Sequence, residues 1–291
     1  MANSAAQKTV LLTGASDGLG KAAAILLAER GYRVFGTGRS AEKLAQLEAL
    51  ARQKNLPLET LEMDVCDDDS VRRGIEFVRS KAGEIDVLIN NAGFAFSIAF
   101  EDLRLEDWRK QFETNVFGLI RVTQAVLPRM RERREGRLVM VSSVAGFLTV
   151  PLQGAYSASK HAVEAISNAL RHELYPFGVH TVLIEPGYIV SGIQQVGASL
   201  AQPYLEKVQR GPYAKLYAST WASANSTRAK SKTTPEDCAH VILEAVESPQ
   251  PKARYGVTSL AKLAKWGKRI LSDRAADRWI RGRYGITRES R

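Results

Sequence analysis

Two hydrophobic patterns alternate along the chain. Runs that are apolar or β-branched at most positions predict strands: TVLLTG (9–14), YRVFGTG (32–38), PLETLEMDV (57–65), IDVLINNAG (85–93), GRLVMVSSVAG (136–146) and VHTVLIEPG (179–187). Between them the apolar residues return every three or four positions. This predicts helices over LGKAAAILLAERG (19–31), over SAEKLAQLEALARQKN (40–55) with Ser40 as N-cap, and over DDSVRRGIEFVRSKAG (68–83). A long helical stretch runs from about Leu105 to Arg134, and another helix begins at Tyr156. Residues 192–232 have weak periodicity and read as a mobile insertion before a helix starting near Pro235. ARYGVTS (253–259) reads as a last strand, and two amphipathic helices follow, LAKLAKWGKRIL (260–271) and RAADRWIRGRY (274–284). Strands that alternate with helices and are mostly apolar throughout imply an α/β fold. Its core is a doubly wound parallel sheet of about seven strands with helices on both faces. The expected organisation is one domain over 1–257, with 192–232 on its substrate side. A basic helical extension, 258–291, packs on the domain or on a partner subunit.

Charge changes this picture only at the end of the chain. The 291 residues carry a formal charge of +10. Residues 252–291 hold twelve Lys or Arg against three acids, so the preceding body is nearly balanced. Such a tail can attract phosphates or an acidic surface. Its helices mix Leu260, Leu263, Ile270, Leu271, Trp266 and Trp279 with the basic residues. Protein contact is the preferred reading, peripheral membrane contact a lesser one, and nucleic-acid binding has no recognition motif behind it. Two distant cysteines, Cys66 and Cys238, match no metal or disulfide spacing. With no secretory signal and no apolar run of membrane-spanning length, a reduced cytoplasmic protein is expected.

Ligands of such sheets bind outside the carboxyl ends of the strands. There the first strand turns into a helix through TGASDGLG, with glycines at 14, 18 and 20. Glycines let the backbone approach a pyrophosphate, and the helix N-terminus offers free N–H groups and a positive dipole. The turn, Gly14, Ser16, Asp17, Gly18, Leu19 and Gly20, is therefore a dinucleotide-binding candidate. After the second strand comes GTGRS, with no acid to take the ribose hydroxyls of NAD. Arg39 and Ser40 offer a guanidinium fork and a hydroxyl for a 2′-phosphate, which favours NADP(H) over NAD(H). Asp64, followed by Val65, is placed either to meet the adenine amino group or to cap the next helix.

TGASDGLG, NNAG (90–93), VSSVAG (141–146), YSASK (156–160) and PG (186–187) occur in the order and spacing of the short-chain dehydrogenase/reductase family. The resemblance covers roughly residues 8–191. It implies a single Rossmann-type domain that interconverts alcohols and carbonyls with NAD(H) or NADP(H). It makes Tyr156 the general acid/base. Lys160 then binds the nicotinamide ribose and lowers the phenol pKa. Ser143, thirteen residues before Tyr156, polarises the substrate oxygen. Asn115 of ETNVFG matches an asparagine that holds a relay water. Asn91, Ala92 and Gly93 join the cofactor set. So do Pro186, Gly187, Ile189 and Ser191, where the family often has Thr. The family is usually dimeric or tetrameric, which implies a homodimer or homotetramer.

The chemistry agrees with these roles. Reducing a carbonyl delivers hydride to carbon and needs a proton on oxygen, from a donor whose pKa is moved toward working pH. A separation of four puts Tyr156 and Lys160 on one helix face. No metal site is expected. The aromatic FAFSIAF after NNAG, with Phe94, and Phe147, Tyr188, Tyr204, Tyr213, Tyr217 and Trp221 line a fairly apolar substrate site or pack the core or a dimer contact. The family's steroid- and retinoid-active members have similarly long regions after PG, which suggests a steroid, retinoid or lipid-like carbonyl or alcohol. Two further classes share the fold: a non-enzymatic redox sensor, against which the intact Ser143, Tyr156 and Lys160 speak, and a membrane-recruited scaffold.

Overall fold

The computed structural model describes residues 7–189, 199–258, 261 and 270–287. Seven strands form one sheet: β1 (Thr9–Thr13), β2 (Arg33–Gly38), β3 (Leu58–Glu62), β4 (Val87–Asn90), β5 (Gly136–Val141), β6 (Val179–Glu185) and β7 (Arg254–Gly256). All pair in parallel, in the order β3-β2-β1-β4-β5-β6-β7. Strand order reverses at β1, where β2 lies on one side and β4 on the other. The crevice beyond the carboxyl ends of β1 and β4 is thus the expected ligand position.

One face of the sheet is covered by α1 (Gly18–Glu29), α2 (Ala41–Gln53) and α9 (Pro235–Glu247), through Ala23, Leu27, Leu47, Ile242 and Leu243. The other carries α3 (Asp68–Ala82), α5 (Leu119–Arg133) and α6 (Gly154–Glu173), through Ile75, Val122, Val126 and Val163. Burying β1, β4 and β5 on both faces is what makes those strands apolar throughout. A third apolar cluster stands apart from the sheet. Phe96, Ile98, Leu103, Leu152 and Ala155 pack there against Tyr204, Val208 and Tyr217.

Two regions differ from the pattern-based expectation. The long helical stretch is α4 (Leu105–Phe112), a π-helical segment (Glu113–Gly118) and α5. The π turn displaces the register by part of a turn, a departure no periodicity shows, and such turns concentrate at functional sites. The described part of the presumed mobile insertion is helical: a 3₁₀ turn (Gln202–Tyr204), α7 (Leu205–Arg210) and α8 (Ala214–Lys230). Its buried face is built largely of tyrosines, whose hydroxyls are bonded as well as their rings packed, so an apolar period is faint. The Tyr204 hydroxyl donates to Asp107, and the Tyr217 hydroxyl donates to Asp102 (3.0 Å) and accepts from Ala99 N (2.8 Å). Of the two C-terminal helices, the second is α10 (Asp273–Arg283); most of the first lies outside the described residues.

Candidate active site

The glycines of the first turn are there because other atoms occupy the space a side chain would need. Gly14 has φ +70° and Gly18 φ +50°, the left-handed region. A Cβ on Gly20 would stand 2.1 Å from the Gly14 carbonyl oxygen and 2.6 Å from Asn91 Nδ2. Helix α1 therefore starts tight against the end of β1, and its free N–H groups open onto the crevice. Asp17 caps α1 by accepting from Gly18 N (2.7 Å). Its other oxygen takes the Lys43 ammonium (2.6 Å), and that hydrogen bond holds Asp17 below its usual range. Ser16 lies against Gly38, and Leu19 packs on the core. These residues fit a dinucleotide: a cradle a Cβ would fill, at a helix N-terminus.

Asn91 contributes from behind. Its side chain donates to the Thr13 and Gly14 carbonyls (3.0 Å each), and Thr13 Oγ1 accepts from the backbone of Asn91 (3.0 Å) and Ala92 (3.1 Å). Asn91 thus pins the turn to the end of β4. Ser40 is the α2 N-cap, accepting from Lys43 N, with Arg39 exposed beside it. The cap of α3 is Asp67; Asp64 instead accepts from Cys66 N (2.9 Å). Val65 is packed against Gly118, and its carbonyl accepts from Arg121 (2.7 Å).

The structure brings Ser143, Tyr156, Lys160 and Asn115 together. Ser143 follows β5 and caps a short 3₁₀ turn, accepting from Ala145 N (3.1 Å), with its hydroxyl beside the Tyr156 phenol. Ser142, the neighbour with which it could be confused, is buried, and its hydroxyl makes no hydrogen bond within the protein. Lys160 is buried, with Nζ 5.9 Å from the Tyr156 ring centre, and donates to the Val141 carbonyl (2.8 Å). Asn115, buried in the π segment, clamps the strand exit. Its Oδ1 accepts from Phe94 N (3.1 Å), while Nδ2 donates to Phe94 O and Ser159 Oγ (3.0 Å each). Ser159 in turn donates to the Tyr156 carbonyl (2.7 Å).

Burial pushes the Tyr156 phenol above its ordinary value, and the Ser143 hydroxyl pulls only partly against that. The Lys160 ammonium, which donates to the Val141 carbonyl, is itself pushed down to about 8 by burial, against the pull of Glu164. Glu164 belongs to no motif of the sequence. It lies one helical turn beyond Lys160, and Asn168 one turn beyond that. Arg254 of β7 donates to Glu164, to Glu185 of β6 (2.7 Å) and to Asn168 (3.0 Å). An acid four residues after the lysine was the available signal; its partner from β7 had none.

Around the reacting end, Phe94 and Phe147 are half-buried, with Phe94 edge-on to Phe96 (5.5 Å). Tyr204 and Tyr217 are buried core anchors, and Phe100 is exposed, so these three do not line a site. Tyr213 donates to Glu101 (2.8 Å), and Trp221 leans on Tyr217 (5.7 Å). Pro186 accepts from Val144 N (2.9 Å), joining the segment Pro186, Gly187 and Ile189 to the Ser143 turn. The Tyr188 carbonyl accepts from Ser231 (2.9 Å), and its side chain lies beside Tyr284 of the C-terminal extension. Ser191 lies outside the described residues.

Comparison with known proteins agrees with this architecture. The short chain dehydrogenase family pattern matches residues 8–199. An NADPH-dependent 3-dehydrocapnine reductase of Ornithobacterium rhinotracheale is 34% identical over 274 residues, 92% of this chain and 94% of that protein. A 3-ketodihydrosphingosine reductase of Bacteroides thetaiotaomicron is 40% identical over 63% of this chain and 64% of its own length. The crystal structure of a short-chain dehydrogenase from Streptomyces avermitilis superposes with a TM-score of 0.75 at 28% identity, covering 97% of this chain and 99% of that one. The chain belongs to the short-chain dehydrogenase/reductase family and is one of its oxidoreductases.

Proposed function

We propose that the protein is an NADPH-dependent reductase of a ketone or aldehyde carried on an apolar, lipid-like molecule. The observation that carries this reading is the convergence of Ser143, Tyr156, Lys160 and Asn115 at the carboxyl end of the sheet, with Lys160 Nζ 5.9 Å from the Tyr156 ring centre and Asn115 tied through Ser159 to the Tyr156 carbonyl. Reduction needs a proton donor that is protonated at neutral pH, and the Tyr156 phenol is one.

A nicotinamide cofactor held at Gly14, Gly18 and Gly20 supplies the hydride. Arg39, with Ser40 beside it, takes the 2′-phosphate, since no acid stands there to repel it. Ser143 donates to the substrate carbonyl oxygen and orients it toward Tyr156. Tyr156 gives that oxygen its proton as negative charge develops on it. Lys160 lies near enough to stabilise the phenolate left behind, and Asn115 and Ser159 hold the helix start and the strand exit in register. Phe94, Phe147 and Tyr188 supply the apolar surface. The relatives named for reducing 3-dehydrocapnine and 3-ketodihydrosphingosine point to lipid-type 3-oxo compounds as the first to try.

The test is NADPH oxidation across aliphatic, aromatic, steroid, retinoid and sphingoid-base carbonyls. Tyr156→Phe is expected to lower turnover by roughly 10²- to 10⁴-fold while NADPH binding persists. Activity that survives the substitution overturns the assignment.

A further inference from the structure

The C-terminal helix has two unlike faces. Its inner face is tied to the substrate side of the molecule. Tyr284 is buried beside Tyr188, Arg283 donates to Thr227 of α8, and Ser223 of α8 donates to the Arg283 carbonyl (3.3 Å). Its outer face presents Arg274, Arg278 and Arg281, spaced four and three residues apart and all exposed. Apolar side chains accompany them: Trp279 is 50% exposed, and Ile270 and Leu271, just ahead of the helix, are 62% and 47% exposed.

A helix whose only task was to cover its own protein would bury its large apolar residues. Here they remain outside, among arginines, in the part of the chain that carries nearly all of the net charge. We propose that α10 and the turn before it dock the protein on an anionic lipid surface. The arginines meet headgroup phosphates, and Ile270, Leu271 and Trp279 enter the boundary beneath them. Nucleic acid would satisfy the arginines and leave the aliphatic side chains without a partner; a bilayer takes both. The described helices include none long and apolar enough to cross a membrane, so the contact is peripheral. Because Tyr284 and Arg283 tie α10 to Tyr188 and α8, docking sets the substrate end beside the lipid. That orientation rests on the lipid-like substrate proposed above; the docking itself does not.

The test is flotation of the full chain with phosphatidylcholine vesicles, with and without phosphatidylglycerol, at low and high salt, and without substrate. Binding is expected only to the anionic vesicles, and salt is expected to weaken it. The triple substitution Arg274→Glu, Arg278→Glu, Arg281→Glu is expected to lower binding at least tenfold, and Trp279→Ser by less. Both variants should keep the folded chain's circular dichroism spectrum and, where the reductase reading holds, wild-type turnover of a water-soluble ketone. Absence of binding, equal binding to neutral vesicles, or displacement by DNA at lower charge concentration than by phosphatidylglycerol overturns the proposal. Failure to find a substrate leaves the flotation result standing, so the two readings fail separately.

Discussion

At the cofactor turn the decisive positions have no side chain. Gly20 leaves room for the Gly14 backbone, Gly14 for that of Ala92, and both for Asn91, while Thr13 and Asn91 hold the turn by hydrogen bonds to main-chain atoms. At the reacting end the reverse holds. Tyr156, Lys160, Glu164 and Asn168 follow one another along one face of α6, and their effect depends on which charged neighbour each one faces. One end is fixed by steric exclusion and the other by buried electrostatics. The first should therefore fail when atoms are added, and the second should retune when a charge is removed.

The largest effect is expected at Gly20. Alanine in an exposed helix interior normally gains about 1 kcal/mol over glycine. Here the added Cβ would lie 2.1 Å from a backbone oxygen, and overpacking of this kind costs about 1–3 kcal/mol. The clash also pushes α1 away from β1. Gly20→Ala is thus expected to lower Tm by several degrees and weaken NADPH binding more than tenfold. Calorimetry and fluorescence titration measure both. Unchanged binding in a stable variant would mean that the close approach of α1 to β1 plays no part in holding the cofactor.

A smaller effect is expected where the cofactor end does use a charge. Arg39 is exposed, so its contact with a phosphate is partly screened and belongs at the low end of the 1.5–3 kcal/mol typical of hydrogen bonds to charged groups. Arg39→Ala should raise KM for NADPH about tenfold and leave KM for NADH nearly unchanged. Equal losses for the two cofactors would remove the basis for preferring NADPH. Lys43 stands close to Arg39 in sequence, but its ammonium is engaged by Asp17 (2.6 Å), so it is not a free second phosphate ligand in this arrangement.

The two ends were also unequally legible in the sequence. The strands, the glycine turn and the order of motifs could be read because each is local: period, punctuation and spacing within a few residues. The π turn around Asn115 was hidden because it keeps the helical pattern while shifting its phase. The helices of the described part of 192–232 were hidden because much of their buried face is tyrosine, packed by its ring and bonded by its hydroxyl to a buried carboxylate. The spacing of Tyr156 and Lys160 shows a shared helix face but not their burial, nor the carbonyl to which the lysine turns. Arg254, the cation that faces Glu164, comes from a strand ninety residues further on.

That last cluster gives the finest test of the comparison. Lys160 is pushed down to about 8 by burial and drawn upward by Glu164. The charged and titratable groups around it are Tyr156 and Glu164 on its own helix, Glu185 on β6 and Arg254 on β7. Its ammonium form predominates below that pKa and is lost as pH rises through it. The kcat/KM for NADPH, which reports the free enzyme, should therefore have a basic limb near the Lys160 pKa. Glu164→Gln keeps the shape and an acceptor for Arg254 but removes the charge that favours the ammonium, so the limb should move to lower pH. Arg254 already offsets part of that charge, so a displacement of about one pH unit or less is expected. A variant that loses activity uniformly across pH, with the limb unmoved, would reduce Glu164 to a packing residue. Movement of the limb to higher pH would mean that the freed Arg254 leaves Lys160 with more negative charge around it, the opposite of what this arrangement requires.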